Sequence, residues 1–462
     1  MYKVHKDIHL HFIGIGGIGM SGIAECLLAM GFSVSGSDMG SSPTTEKLKD
    51  LGARLYKGHS KENIEGATTI IYSSAIGQDN PEMIAAHEKN IPIMRRAEML
   101  AELMKLKLGL AVAGTHGKTT TTSFLATILS EAGLDPTYII GGIVSNLKGH
   151  AKIGKGDFLV AEADESDGSF LLLSPIMSVI TNIDNDHLGQ YGSEENLFNA
   201  FLEFANKIPF YGVCILCIND HKLREIRSLI KKPYATYGIT VGDEIPDFEA
   251  RNISYKDFSS QYDLYYQGVF TTKIKIKLPG EHYVLNSLGA ISLAFYLDIP
   301  FSKIAEAIAK FEGVGRRFEL IYKGDNIEIV DDYGHHPTEV MATLKALRKI
   351  RPDHKIRVIF EPHRFSRTHE CWDQFLHCFK GADEVALMPI YSAGERPIEG
   401  IDSVRLAKEI NKLYPNLVNE VKNPEDLIKF VPSNSSKKMS ILVLGAGSIG
   451  KKVRDIIKKF NN

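Results

Sequence analysis

Cysteine, tryptophan, surplus charge and long apolar runs are what this sequence has least of. Five cysteines in 462 residues, Cys26, Cys214, Cys217, Cys371 and Cys378, are too few, odd in number and too scattered for a disulfide framework. Cys214 and Cys217 form a CxxC, but it lies in the apolar run Val213–Ile218 with no second CxxC or His pair at zinc spacing, so buried strand cysteines are expected. The 54 Lys and Arg balance 56 Asp and Glu to a formal charge of -2, which leaves no global field for steering onto nucleic acid or an acidic membrane. Any anionic ligand must be held by local chemistry. No stretch reaches the roughly 18 apolar residues of a membrane span, and the opening MYKVHKDIHLHFIGIGG lacks a signal-peptide core, so no membrane insertion and a cytoplasmic, reducing setting are expected.

What is present is an ordinary globular composition, 44% hydrophobic and 24% charged with 40 glycines, and a length that predicts roughly three domains. Short apolar runs alternate with helix-period segments almost end to end, the pattern of parallel sheets covered by helices, so the expected class is α/β. The first unit, residues 1–107, has strands at Ile8–Ile13, Ser33–Ser37, Thr69–Tyr72 and Ile91–Met94 and a closing helix near Ala97–Lys107. The second, 108–318, starts with Gly109–Ala113 and continues with strands at Asp157–Ala161, Met177–Thr181 and Val213–Ile218. Its stretch 239–276 turns short and alternating, which predicts an antiparallel addition at the sheet edge. Gly313–Phe318 reads as a hinge, and the third unit, 319–462, has strands at Ile327–Val330, Arg357–Glu361, Glu384–Met388 and Ser440–Leu444.

Three glycine turns sit between a strand and a helix. Gly14-Ile-Gly16-Gly17-Ile18-Gly19 is a GxGxxG, a spelling that lets the backbone approach a diphosphate at a helix N-terminus. Asp38 at the end of the next strand stands where a ribose-binding acid would, so a dinucleotide reading passes the local test; the space before the next phosphate motif favours a mononucleotide diphosphate such as a UDP-sugar. Gly114-Thr115-His116-Gly117-Lys118-Thr119-Thr120 is the stronger signal: its amides can cradle phosphate, Lys118 can reach the β and γ phosphates of ATP, and the Thr119 hydroxyl can bind Mg²⁺. The loop is shorter than the general P-loop, with Val112 where that pattern has its first glycine. Gly445-Ala-Gly-Ser-Ile-Gly450 also spells GxGxxG, but no strand and acid follow it, which favours a structural turn.

Polar groups gather at the strand ends. Glu162-Ala-Asp-Glu-Ser-Asp167 follows one strand and Thr181-Asn-Ile-Asp-Asn-Asp-His187 the next, so Glu162 and His187 can join Thr119 around one or two Mg²⁺ ions, with a solvated acidic loop as the plainer alternative. His282 and Asn286, four apart on a helix, can face an adenine or simply open that helix. Asp331-Asp332-Tyr-Gly-His335-His336-Pro337 and Glu361-Pro-His-Arg-Phe-Ser-Arg367 close two strands of the third unit, where Arg367 can bind phosphate or carboxylate and a structural turn is the alternative.

Together these motifs resemble the Mur ligases, the ATP-dependent amino-acid-adding enzymes of peptidoglycan synthesis, along the whole chain and in order. The spellings GIGGIGMSGIA (14–24), AGTHGKTTTT (113–122), AEADESD (161–167), GRRFE (315–319), DDYGHHPTE (331–339), PHRFSRT (362–368) and AGERPI (393–398) resemble the members that add the first residue of the stem peptide. The resemblance implies a Rossmann-like N-terminal domain for the UDP-sugar, a central P-loop ATPase-type domain with a mostly parallel sheet, and a Rossmann-like C-terminal domain. It implies UDP-N-acetylmuramate and L-alanine as substrates, an acyl-phosphate intermediate, and a monomer or homodimer. Carried over by motif position, Gly14 to Gly19 with Asp38, Ser73, Ser74 and Arg95 would meet the sugar nucleotide, and Lys118 with the loop would hold ATP. Thr119, Glu162 and His187 would hold Mg²⁺; His282, Asn286, Arg317 and Asp332 would face the nucleotide; His335, His336 and Arg367 would serve the amino acid and transferred phosphate.

Overall fold

The computed structural model describes residues 8–461 apart from Ser74, Lys148, His187, Lys422 and Asn423. Its strands form three sheets. The first contains β1 (His9–Ile13), β2 (Ser33–Asp38), β3 (Arg54–Lys57), β4 (Thr69–Tyr72) and β5 (Ile93–Arg95), all parallel in the order β3-β2-β1-β4-β5. Ile13, Ile64, Ile70 and Met83 form part of the core on one of its faces.

The second sheet has ten strands: β6 (Leu108–Ala113), β7 (Thr137–Val144), β8 (Gly149–Lys152), β9 (Phe158–Glu162), β10 (Met177–Ile180), β11 (Val213–Cys217), β12 (Tyr234–Gly238), β13 (Phe248–Lys256), β14 (Ser259–Tyr266) and β15 (Val269–Ile276). Their order is β15-β14-β13-β12-β11-β10-β6-β9-β7-β8. β6 is central and apolar on both faces, as a parallel strand covered on both sides must be. Registers of Val112 with Glu162 and of Ala113 with Ile180 bring the ends of β9 and β10 level with the turn that follows β6. Cys214 and Cys217 lie buried and unpaired in β11, where burial pushes both thiols up to about 12, so the CxxC is core.

The third sheet holds β16 (Glu319–Lys323), β17 (Ile327–Asp332), β18 (Lys355–Phe360), β19 (Glu384–Leu387), β20 (Val418–Glu420) and β21 (Met439–Leu444), in the order β16-β17-β21-β18-β19-β20. Only β16 is antiparallel, with a register shift between Leu320 and Tyr322. Asp332, Leu444 and Phe360 stand abreast, so the turns after β17, β21 and β18 share one edge.

The chain forms two compact units. The first comprises the chain through Arg251 with Asp263–Ile274 and Leu285–Glu312; the second comprises Asn252–Tyr262, Lys275–Val284 and the chain from Gly313 onward. The Gly313 boundary coincides with the expected hinge. The first two sheets share a unit because the helix Ile18–Ala29 packs on the β7–β8 pair: Ser21 Oγ meets His150 Nε2 at 3.0 Å, and a methyl at Gly22 would lie 3.1 Å from Ala151 Cβ. The sequence pattern marks no strand at β3, β7, β8, β12, β16 or β20. In β7 the paired glycines and irregular burial erase the period that marks a strand.

Candidate active site

The turn Gly114–Gly117 joins β6 to the helix Lys118–Glu131 and is pinned from the end of β10. Thr181 Oγ1 donates to the His116 carbonyl (2.6 Å), and the His116 and Thr115 amides donate to Asn182 Oδ1 (2.8 Å) and its carbonyl (3.1 Å). Gly114 is obligatory: at φ +126°, a β-carbon would sit 2.0 Å from Thr181 Oγ1. Thus Thr115 and His116 spend their amides on holding the loop. The amides of Lys118, Thr119 and Thr120, in the first helical turn, remain the donors suited to phosphate. His116 Nε2 pairs with Asp184 Oδ2 at 2.9 Å. Asn286 lies against the same loop, its Oδ1 2.4 Å from where a Gly117 β-carbon would be.

Lys118 Nζ donates to the carbonyls of Gly114 (2.7 Å) and Thr115 (3.2 Å) and to Glu165 Oε2 (2.6 Å). Burial works against its charge, but Glu165, Asp164 and Glu162 outweigh burial and hold the ammonium above its ordinary value. Burial pushes Glu165 up to about 7 while Lys118 pulls against it. Glu162, raised by burial, accepts from Thr119 Oγ1 at 3.1 Å and from the Gly141 amide at 2.6 Å. A threonine hydroxyl and a carboxylate, both oxygen donors beside a phosphate loop, fit a hard cation such as Mg²⁺. His187 lies outside the described residues.

At the first glycine turn, Asp38 closes the loop from below: Oδ2 accepts from Gly16 (2.9 Å) and Oδ1 from Gly40 (3.3 Å). The Ser37 carbonyl accepts from the Gly14 and Ile15 amides, and Ser73 Cβ is 3.6 Å from a β-carbon at Gly14. Gly17 precedes the helix that Ile18 and Gly19 open. Ser74 lies outside the described residues. Arg95 is exposed and paired with Glu98 at 3.1 Å, whereas Arg96 bridges to Asp164. Beneath β2, Glu82 is fully buried and accepts from Ser37 Oγ (2.6 Å), Asn63 Nδ2 (2.5 Å) and His59 (3.2 Å); its burial is outweighed by His11, Ser37 and Asn63, which bring it down to about 2.

In the second unit, Asp332 accepts from the Phe318 (2.8 Å) and Gly334 (2.7 Å) amides, and Tyr283 reaches it at 3.5 Å. Arg317 lies over Tyr333 and 3.8 Å from Glu339. Burial, aided by Arg317 and Lys345, depresses His282 to about 4. His335 pairs its amide with Glu339 and sets its ring against Tyr333 and His363. His336 is a buried N-cap of the helix Pro337–Ile350, its ring 3.4 Å from Cys371 Sγ. Arg367 is buried beside His363. The third glycine turn is structural: Glu361 accepts from the Ile449 amide, Ser448 Oγ and Lys452, each at 3.1 Å, so the helix N-terminus that would meet a phosphate already holds a carboxylate of the protein. Arg316 ties down the same turn through the Gly445 and Gly447 carbonyls.

Three family models match in order: the Mur ligase family catalytic domain over residues 9–108, the Mur ligase middle domain over 112–294, and the Mur ligase glutamate ligase domain over 316–447. The chain belongs to the Mur ligase family. Its α/β fold is the three-domain Mur ligase architecture with mostly parallel sheets. It is 48% identical to the UDP-N-acetylmuramate–L-alanine ligase of Geobacter sulfurreducens over 97% of this chain and 96% of the relative. It is 47% identical to the same-named protein of Geobacter sp. (strain M21), over 96% of each. The crystal structure of the UDP-N-acetylmuramate-alanine ligase of Thermotoga maritima superposes with a TM-score of 0.83 at 28% identity, covering 98% of this chain and 99% of that one. A murein peptide ligase of Psychrobacter arcticus shares the fold, with a TM-score of 0.72 at 23% identity over 98% of this chain and 99% of that one.

Within this Mur ligase the expected grouping of Lys118, Thr119, Glu162 and Asn286 around the loop is present. Sequence reasoning missed Gly141, Glu165, Asn182 and Arg96. Gly141 serves through its backbone amide, outside any motif; Glu165 and Asn182 lie within the Glu162–Asp167 and Thr181–His187 runs, but their support of Lys118 and of the loop shows only in the folded contacts. It also missed Glu395, which accepts from Ser366 Oγ (2.7 Å) and the Ser366 amide (3.0 Å) at the start of the helix Phe365–Glu370; the AGERPI and PHRFSRT spellings were its signal.

Proposed function

We propose that this protein joins L-alanine to the lactyl carboxylate of UDP-N-acetylmuramate at the expense of ATP, in the cytoplasmic assembly of peptidoglycan precursors. The observation that carries the reading is the arrangement of Lys118 and Thr119 against Glu165 and Glu162 at the end of the central sheet. The names of relatives matched over nearly the whole chain support the acceptor and amino acid. The domains run 1–107, 108–318 and 319–462 and take the sugar nucleotide, ATP and the closing role respectively.

A carboxylate is a poor electrophile, so the reaction must activate it. The lactyl oxygen attacks the γ phosphorus and ADP leaves; the alanine amine then attacks the acyl carbon, loses a proton, and inorganic phosphate leaves. Lys118, kept charged by its carboxylates, is suited to neutralise the γ phosphoryl oxygens as charge moves onto them. The amides of Lys118, Thr119 and Thr120 orient the phosphates, and Asn286 borders the nucleotide loop. Thr119 and Glu162, with His187, would hold Mg²⁺, which when bound supplies charge neutralisation of the phosphates. His282, Arg317 and Asp332 are assigned to the nucleotide, and His335, His336 and Arg367 to the amino acid and the transferred phosphate, by motif position in the family.

Mass spectrometry of a reaction with ATP, UDP-N-acetylmuramate and an equimolar mixture of L-alanine and the stem tripeptide tests the reading. The expected product gains a single alanine residue; a product that gains the tripeptide instead would replace this reading with the peptide-recycling reaction.

A further inference from the structure

Arg95 ends β5 and Arg96 opens the helix Arg96–Met104, and their side chains are held differently. Arg95 is exposed and closed off by Glu98, whereas the guanidinium of Arg96 turns inward over the first turn of the helix Ile18–Ala29. A methyl at Gly19 would lie 3.1 Å from Arg96 Nη1 and 3.3 Å from its Cδ, so the glycine leaves the space that this side chain occupies. Its Nη2 is 3.6 Å from Asp164 Oδ2, and the side chain is 24% exposed. A guanidinium offers five N–H donors, and among the described residues this one makes a single long ion pair and no hydrogen bond.

The position matters more than the pair. Gly19 belongs to the loop suited to a diphosphate, and Asp164 stands between Glu162, the partner of Thr119, and Glu165, the partner of Lys118. The guanidinium therefore lies between the two phosphate loops. A substrate with its diphosphate at the first loop and a carboxylate awaiting phosphorylation at the second must extend past it. A planar fork with unused donors is matched to a carboxylate, which it can hold by two parallel hydrogen bonds.

We propose that Arg96 binds the acceptor carboxylate of the sugar nucleotide, exchanging its long pair with Asp164 for a bidentate pair with the substrate and presenting that carboxylate toward Lys118. The inference rests on the reading that the acceptor is UDP-N-acetylmuramate. It makes Arg96 a substrate-binding residue.

Calorimetric titration of the full chain with UDP-N-acetylmuramate and with UDP, which lacks the carboxylate, tests it. Arg96→Gln is expected to weaken UDP-N-acetylmuramate about tenfold or more while leaving UDP within about twofold. Arg96→Lys, which keeps the charge and the packing stem, provides the same comparison if the glutamine variant fails to fold. Unchanged affinity for UDP-N-acetylmuramate would overturn the proposal, and so would an equal loss for both ligands, which would put the guanidinium on the diphosphate. If the unaltered protein binds UDP but not UDP-N-acetylmuramate, the functional reading fails rather than the role of Arg96.

Discussion

Lys118 is costly to keep charged where it lies, and three carboxylates keep it so. Its replacement by alanine leaves Glu165 buried without its cation, and turnover is expected to fall at least about a hundredfold. Phosphate release under saturating substrates measures this, with melting temperature as the control for folding. Glu82 is a second buried charge, remote from the chemistry, with a folded pKa of about 2 against an ordinary 4.5. A depressed carboxylate stabilises the fold above its unfolded pKa, and the contribution is lost as pH falls from about 4.5 toward 2. At about 1.4 kcal/mol per unit this is about 3 kcal/mol, so denaturation midpoints should fall along that acid arm, and Glu82→Gln should show the loss at neutral pH and flatten the arm. Lys118, Thr119 and Glu162 were legible in the sequence because their chemistry is written in contiguous spellings at strand ends. Glu82 and Arg96 were not, because each acquires its role from contacts made far along the chain.

At the scale of elements, three turns share one spelling pattern or its kin, and their neighbours decide what each does. The first is braced by Asp38 through the Gly16 amide, with the Arg96 side chain against Gly19; the second is braced by Thr181 and Asn182; the third is filled by Glu361. Glu361→Gln should therefore destabilise the helix Ile449–Lys458 by about 1–2 kcal/mol and leave KM for both nucleotides within about twofold. Thermal melting and steady-state kinetics check the two halves, and a large rise in either KM with no change in melting would make the third turn a ligand loop. The positions of β1, β4, β6, β10 and β21 could be read because buried parallel strands are short apolar runs bounded by turns. The β7–β8 pair escaped notice because its glycines interrupt both periods, yet it supplies the Gly141 amide to Glu162 and the surface on which the first helix packs.

For the whole molecule, length predicted three domains and the three sheets bear out that count, while the first two sheets pack into one compact unit. Sequence period reports what each element buries within its own sheet, and says little about which sheets dock. A formal charge of -2 is compatible with two anionic substrates when the positive charge is local. In the proposed reaction, Lys118, Arg96 and helix N-termini would put positive potential where phosphates and carboxylates bind, so the surface need not carry it. In the proposed reaction, phosphate transfer from ATP is coupled to both other substrates. Phosphate release measured with ATP and every combination of UDP-N-acetylmuramate and L-alanine reads this coupling: sustained turnover is expected only with all three present, and equal turnover with either the sugar nucleotide or the amino acid omitted would contradict it.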